Sequence, residues 1–79
     1  MSNHNKLHDC VRDSLDVYFQ DLDGTDPAGL YDMLVKAVEK PLLEVVMQQS
    51  QNNQSRAAQW LGLNRNTLRK KLLEHGLIE

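Results

Sequence analysis

A lone cysteine, Cys10, denies this chain any internal disulfide and suits a reducing compartment. No grouping of cysteine and histidine has the spacing of a structural zinc site. His4 and His8, four positions apart near one end, are read as ordinary surface residues, and no metal or other cofactor is expected. No apolar run approaches the roughly 20 residues of a membrane span, and the start, MSNHNKLHDC, lacks the apolar segment of a secretory signal. The chain is therefore expected to be soluble and cytoplasmic, with no membrane partner. There is no glycine-rich phosphate loop, no nucleophile–base pair of recognisable spacing and no pair of carboxylates in an apolar setting, so an enzyme is not expected. Strand-like alternation, repeats and low-complexity tracts are missing too. At 79 residues, without disulfide or metal, a monomer is marginal, and oligomerisation is the natural remaining source of stability.

One further absence is positional. The net charge of −2 speaks against a nucleic-acid partner, yet no acidic residue lies between Val45 and Leu73. Asp9, Asp13, Asp16, Asp21, Asp23, Asp26, Asp32, Glu39 and Glu44 all precede that interval, which holds Arg56, Arg65, Arg69, Lys70 and Lys71. Binding follows the local field and not the total, so the asymmetry reopens the case for a polyanion.

What is present is helical periodicity. Residues 1–6 are polar and read as a loose terminus. Leu7, Val11, Leu15, Tyr18, Phe19 and Leu22 make one face of a first helix, about 7–22, with Cys10 on or beside that face as buried filling. Asp23-Gly24-Thr25-Asp26 is a loop. Asp26 and Pro27 read as the cap and first position of a second helix. Its stripe of Leu30, Leu34, Val38, Leu42, Val45 and Val46 passes Pro41 without a change of phase, which predicts one long helix, kinked there, ending near Gln49. Together the two helices carry more apolar surface than an antiparallel pair can hide. A homodimer is expected to share it, with Val11, Leu15, Phe19, Leu30, Leu34, Val38, Leu42 and Val45 in the common core.

The stretch from Asn53 to Gly76 carries the chemistry. It reads as two short helices, about 54–61 and 65–74, joined at Gly62, which can adopt the positive φ that ends the first. Ala57 and Ala58 permit close approach; Leu61, Leu63, Leu68 and Leu72 supply the seam; Asn53 and Asn64 are N-caps; Gly76 is a stop, and Leu77 and Ile78 fold back on the core. Trp60, among Ala57, Leu61 and Leu63, is expected inside. This is a helix-turn-helix, whose second helix enters the major groove of double-stranded DNA with its N-terminal residues first. Arg65 is then the candidate base reader, because its fork fits the two acceptors of guanine. Asn64 and Thr67 suit a phosphate or base edge; Arg69, Lys70 and Lys71 suit phosphates. The helix start at Asn53, Gln54 and Ser55 offers amide donors to another phosphate, and Arg56 is a solvated residue. A DNA-indifferent interaction bundle accounts for the first two helices but leaves the basic cluster unexplained.

These segments resemble a known family. Leu22-Asp23-Gly24, Leu30-Tyr31, Glu39-Lys40-Pro41-Leu42-Leu43, Val46-Met47-Gln48, Asn53-Gln54-Ser55-Arg56-Ala57-Ala58 and Leu63 to Leu72 resemble Fis, the bacterial factor for inversion stimulation. The likeness spans about Leu7 to Gly76. It implies an all-α, intertwined homodimer of four helices per subunit: a nucleoid-associated regulator of transcription that bends many loosely related DNA sites. The two recognition helices of that family sit closer than one turn of straight duplex, so sequence is read partly through deformability. By matching positions it implies DNA contacts from Asn53, Ser55, Asn64, Arg65, Thr67, Arg69, Lys70 and Lys71. Two departures bound the carry-over. The short stretch before the first helix is read as lacking the β-hairpin arm with which longer members touch recombinases, so that contact is not carried over as an expectation. Gln51-Asn52 replace the Arg-Gly pair used for flanking DNA and RNA polymerase, although Gln48 and Gln54 match that patch. The last block also occurs in NtrC-type activators, but the proline-bearing second helix and the methionine start favour a free-standing, single-domain member.

Overall fold

The computed structural model describes residues 3–79, with side chains from Lys6 onward. Four α-helices follow in order, α1 (Asn3–Leu22), α2 (Leu30–Gln49), α3 (Gln54–Leu61) and α4 (Arg65–Glu74), and no strand occurs among the described residues. The protein is all-α. It divides into two compact units, Met1–Leu30 and Tyr31–Glu79.

The first unit is built on α1. It starts at Asn3, ahead of the expected Leu7. Nothing between Asn3 and Leu22 is glycine or proline, so no residue stops the helix from extending toward the start. Of the stretch expected to be loose, Met1 and Ser2 lie outside the described residues, as does the side chain of His4. Val11, Leu15, Tyr18 and Leu22 form the half-buried stripe, and the rings of Tyr18 and Phe19 meet edge to face, 5.9 Å apart at 86°. Cys10 is exposed and not buried as expected. It lies about 100° from Val11 around the helix, off the stripe. Asp23 and Gly24 take positive φ values of 50° and 86° and turn the chain out of α1.

α2 begins later than the Asp26-Pro27 signal indicates. Residues 25–27 have no regular structure, and Gly29, at φ 62°, is left-handed, which a right-handed helix cannot include. From Leu30 the helix runs unbroken through Pro41, as the apolar phase predicts. Leu43 and Met47 point to the core of the second unit, where they meet Ala57, Ala58, Leu68 and Leu72, with Val46, Leu61, Leu77 and Ile78 around them. About a third of a turn away lies another apolar face. There Val38, Leu42 and Val45 are 43%, 47% and 53% exposed in the single chain.

The turn from α2 to α3 is tight. The Gln51 amide donates to the Gln48 carbonyl (3.1 Å) and the Asn52 amide to Met47 (2.8 Å), the paired bonds of a Schellman end. Ser50 is buried, and its hydroxyl donates to the Met47 carbonyl at 3.2 Å. α3 and α4 close in the same way, but on Gly62 and Gly76. At the end of α2 the left-handed position is held by Gln51 at φ 56°, a conformation unfavourable for a residue with a Cβ by about 1–2 kcal/mol. Relief of that strain exceeds the added unfolded-state entropy of glycine, so Gln51→Gly should stabilise the protein by about 0.5–1 kcal/mol. Urea denaturation measures it; a destabilised variant would refute the strained cap.

Candidate nucleic-acid interface

Two asparagines start the two helices of the motif. Asn53 Oδ1 accepts from the Arg56 amide at 3.0 Å, and Asn64 Oδ1 accepts from the Asn66 amide at 2.8 Å. Both therefore act as N-caps, as their position predicts. Gly62, at φ 72°, turns the chain between them. Ala57 and Ala58 are fully covered, so no side chain holds α3 away from α4. Leu68 and Leu72, with no exposed surface, fix which side of α4 faces inward.

The outward side follows from that. Asn64, Arg65, Asn66, Thr67, Arg69 and Lys70 are exposed, and so are Asn53, Ser55 and Arg56 on and before α3. Among the described residues Arg56, Arg65, Arg69 and Lys70 form no ion pair, so their charges face solvent unneutralised. Acidic side chains are missing from the surface of this motif until Glu74, in the last turn of α4.

Lys71 departs from the reading of the sequence. Its position one place before Leu72 turns it toward α2, where its ammonium donates to Glu39 Oε2 at 2.8 Å. The other carboxylate oxygen, Oε1, meets His75 Nε2 at 2.8 Å. In this arrangement Lys71 is not a free cation for phosphate. The side chains of Glu39 and His75 are only 17% and 10% exposed, against 31% for Lys71. In the sequence Glu39 stands out only as one of the acids that precede the basic interval. The signal that locates it is its spacing of four from Leu43 and eight from Met47, on the buried face of α2.

Trp60 also departs. It is 55% exposed and not in the core. α3 has only two turns, and its inward positions belong to Ala57, Ala58 and Leu61; Trp60 lies to the side, one turn after Arg56.

The geometry defines an all-α protein that ends in a helix-turn-helix. Residues 34–75 match the family described as bacterial regulatory protein, Fis family. The chain belongs to the Fis family. It is 58% identical over 76 residues to a protein of Ralstonia nicotianae named by inference as a Fis-like DNA-binding protein, covering 96% of this chain and 99% of that one. A relative of Neisseria meningitidis serogroup A, named in the same way, is 58% identical over 72 residues, or 91% of each chain. DNA-binding protein Fis of Proteus mirabilis is 49% identical over 71 residues, which is 90% of this chain and 72% of that protein.

The Lys71 hydrogen bond, then that of His75, holds the Glu39 carboxyl below its usual 4.5, and the same bond from Glu39 raises the Lys71 ammonium above 10.5. A lowered carboxyl contributes stability that is complete above its unfolded value and is lost as pH falls through its folded value. The raised ammonium contributes stability that is lost as pH climbs through its own folded value. Denaturant titrations from neutral to acid pH should therefore show a fall in stability below 4.5. Glu39→Gln should be less stable near neutrality by about 1 kcal/mol after allowance for solvent screening, and flatter in acid. Parallel curves for the two proteins would contradict the clamp.

Proposed function

We propose that this protein binds double-stranded DNA as a homodimer, places one α4 of each copy in successive major grooves and bends the duplex between them. The observation that carries the reading is the exposed face of α4, with Arg65, Arg69 and Lys70 unpaired beside Asn64 and Thr67. Arg65, on the first turn, reads a base edge through its planar fork. Arg69 and Lys70 bind phosphates and position the helix. Asn64 and Thr67 supply neutral hydrogen bonds to the same strand. At the start of α3, Asn53 and Ser55 flank free amides that suit a further phosphate.

Homodimerisation is supported by the second apolar face of α2. Leu30 and Leu34 are half-buried and Val38, Leu42 and Val45 about half exposed in the single chain, an expensive arrangement in water. On α1, Val11, Leu15 and Phe19 complete the set assigned to the shared core. Bending and a broad choice of sites follow from two recognition helices set closer than one duplex turn, as the likeness to Fis implies. Sequence preference then includes the cost of deforming the central base pairs. The reading makes the protein a nucleoid-associated transcription regulator of the bacterial cytoplasm.

The test is gel mobility on circularly permuted duplexes, with the mass in solution measured alongside. A dimer whose complexes migrate slowest when the site is central supports bending, and affinity should fall with salt by a log–log slope of about −0.9 per phosphate contacted. A dimer indifferent to DNA refutes the proposal. Arg65→Ala should lose about 1–3 kcal/mol of specific binding while staying dimeric; unchanged affinity removes Arg65 from base reading. Leu42→Asp should dissociate or unfold the protein, and an intact dimer would overturn the shared core.

A further inference from the structure

Leu68 and Leu72 hold α4 on the core and set its inward side through apolar contacts, which are themselves non-directional. Directional contact between α2 and α4 comes from Glu39. One of its oxygens takes the Lys71 ammonium and the other meets His75, each at 2.8 Å. Lys71 and His75 are four residues apart, so a single carboxylate grips two successive turns of the chain around the end of α4. Bonds of this length to a charged acceptor are strong and angle-sensitive. The same Glu39 lines an apolar hollow on α2 with Leu34, Val35, Val38 and Leu42, on the face assigned above to the second copy. One side chain thus borders the dimer face and holds the recognition helix.

We propose that Glu39, Lys71 and His75 form a strut that fixes the attitude of the recognition helix on the dimerisation helix. The strut thereby sets the distance between the two recognition helices of the dimer. Lys71 is a positioning residue, acting on DNA through Glu39 and not by touching a phosphate. The inference rests on the dimeric DNA-binding reading. Its signature is dependence on half-site separation: a stiff strut demands one spacing, and a loosened one tolerates several.

The experiment uses the full chain as wild type, Glu39→Leu, Lys71→Met, His75→Leu and the Glu39→Leu/Lys71→Met double variant. Mass in solution and far-ultraviolet circular dichroism establish that each is a folded dimer. Leucine at 39 suits the apolar hollow, and His75→Leu opens only half of the strut, so it serves if Glu39→Leu disturbs folding. The probe is a duplex selected by the wild type from a random-sequence pool, with derivatives that have one base pair inserted or removed at the centre. Dissociation constants are measured at two salt concentrations.

Each single variant should lose about five- to tenfold on the selected duplex. Each should lose less on the derivatives, so that the spacing preference flattens. The losses of Glu39→Leu and Lys71→Met should not multiply in the double variant, and the salt slope should match the wild type. The proposal is overturned if Lys71→Met lowers the salt slope by about one at every spacing. It is equally overturned if Glu39→Leu binds more tightly, because a released Lys71 then reaches phosphate directly. Wild type that selects no duplex refutes the DNA-binding reading itself, an outcome distinct from either of these.

Discussion

The second unit depends on the close approach of α3 and α4, which two alanines make possible. Ala57 and Ala58 have almost no exposed surface, and Leu68 and Leu72 lie in the same core with Leu43 and Met47 of α2. A side chain longer by two or three carbons at either alanine has no room without moving α4. Every functional consequence follows from that seam. With Leu68 and Leu72 inward, Arg65, Arg69 and Lys70 have to face outward, because the helix allows no other phase. The caps at Asn53 and Asn64 and the left-handed Gly62 then fix where each helix starts and how the chain turns.

The motif was legible in the sequence because each of its signals is local. Asparagine before a helix, glycine after one and apolar residues at helical spacing can be read without knowing what else the chain touches. The bounds of α3 and α4 agree with those signals. What could not be read locally are the contacts that cross elements. Lys71 belongs to a basic run, and nothing next to it discloses a carboxylate thirty-two residues earlier. Trp60 has apolar neighbours in sequence, yet a two-turn helix has too few inward positions to admit it. The start of α2 lies beyond the Asp-Pro signal because that signal is general, whereas the left-handed Gly29 depends on the path of the chain.

α2 serves two masters through its geometry. One of its faces completes the core of the helix-turn-helix, and another, a third of a turn away, displays valines and leucine to solvent. A helix apolar on two sides is a poor surface element and a good central one. Glu39 is the polar residue set at the boundary of these faces, satisfied by two donors, so that its burial leaves neither oxygen without a partner.

The exposed Trp60 has a practical corollary. It is the single tryptophan of the chain and sits within the helix-turn-helix, in the second unit. Excitation at the red edge of aromatic absorption therefore addresses one half of the molecule alone. The indole ring, already in water, is open to collisional quenchers in the folded state and loses that access only when another surface covers α3. The protein carries its own optical reporter of whatever docks on that helix, with no label attached.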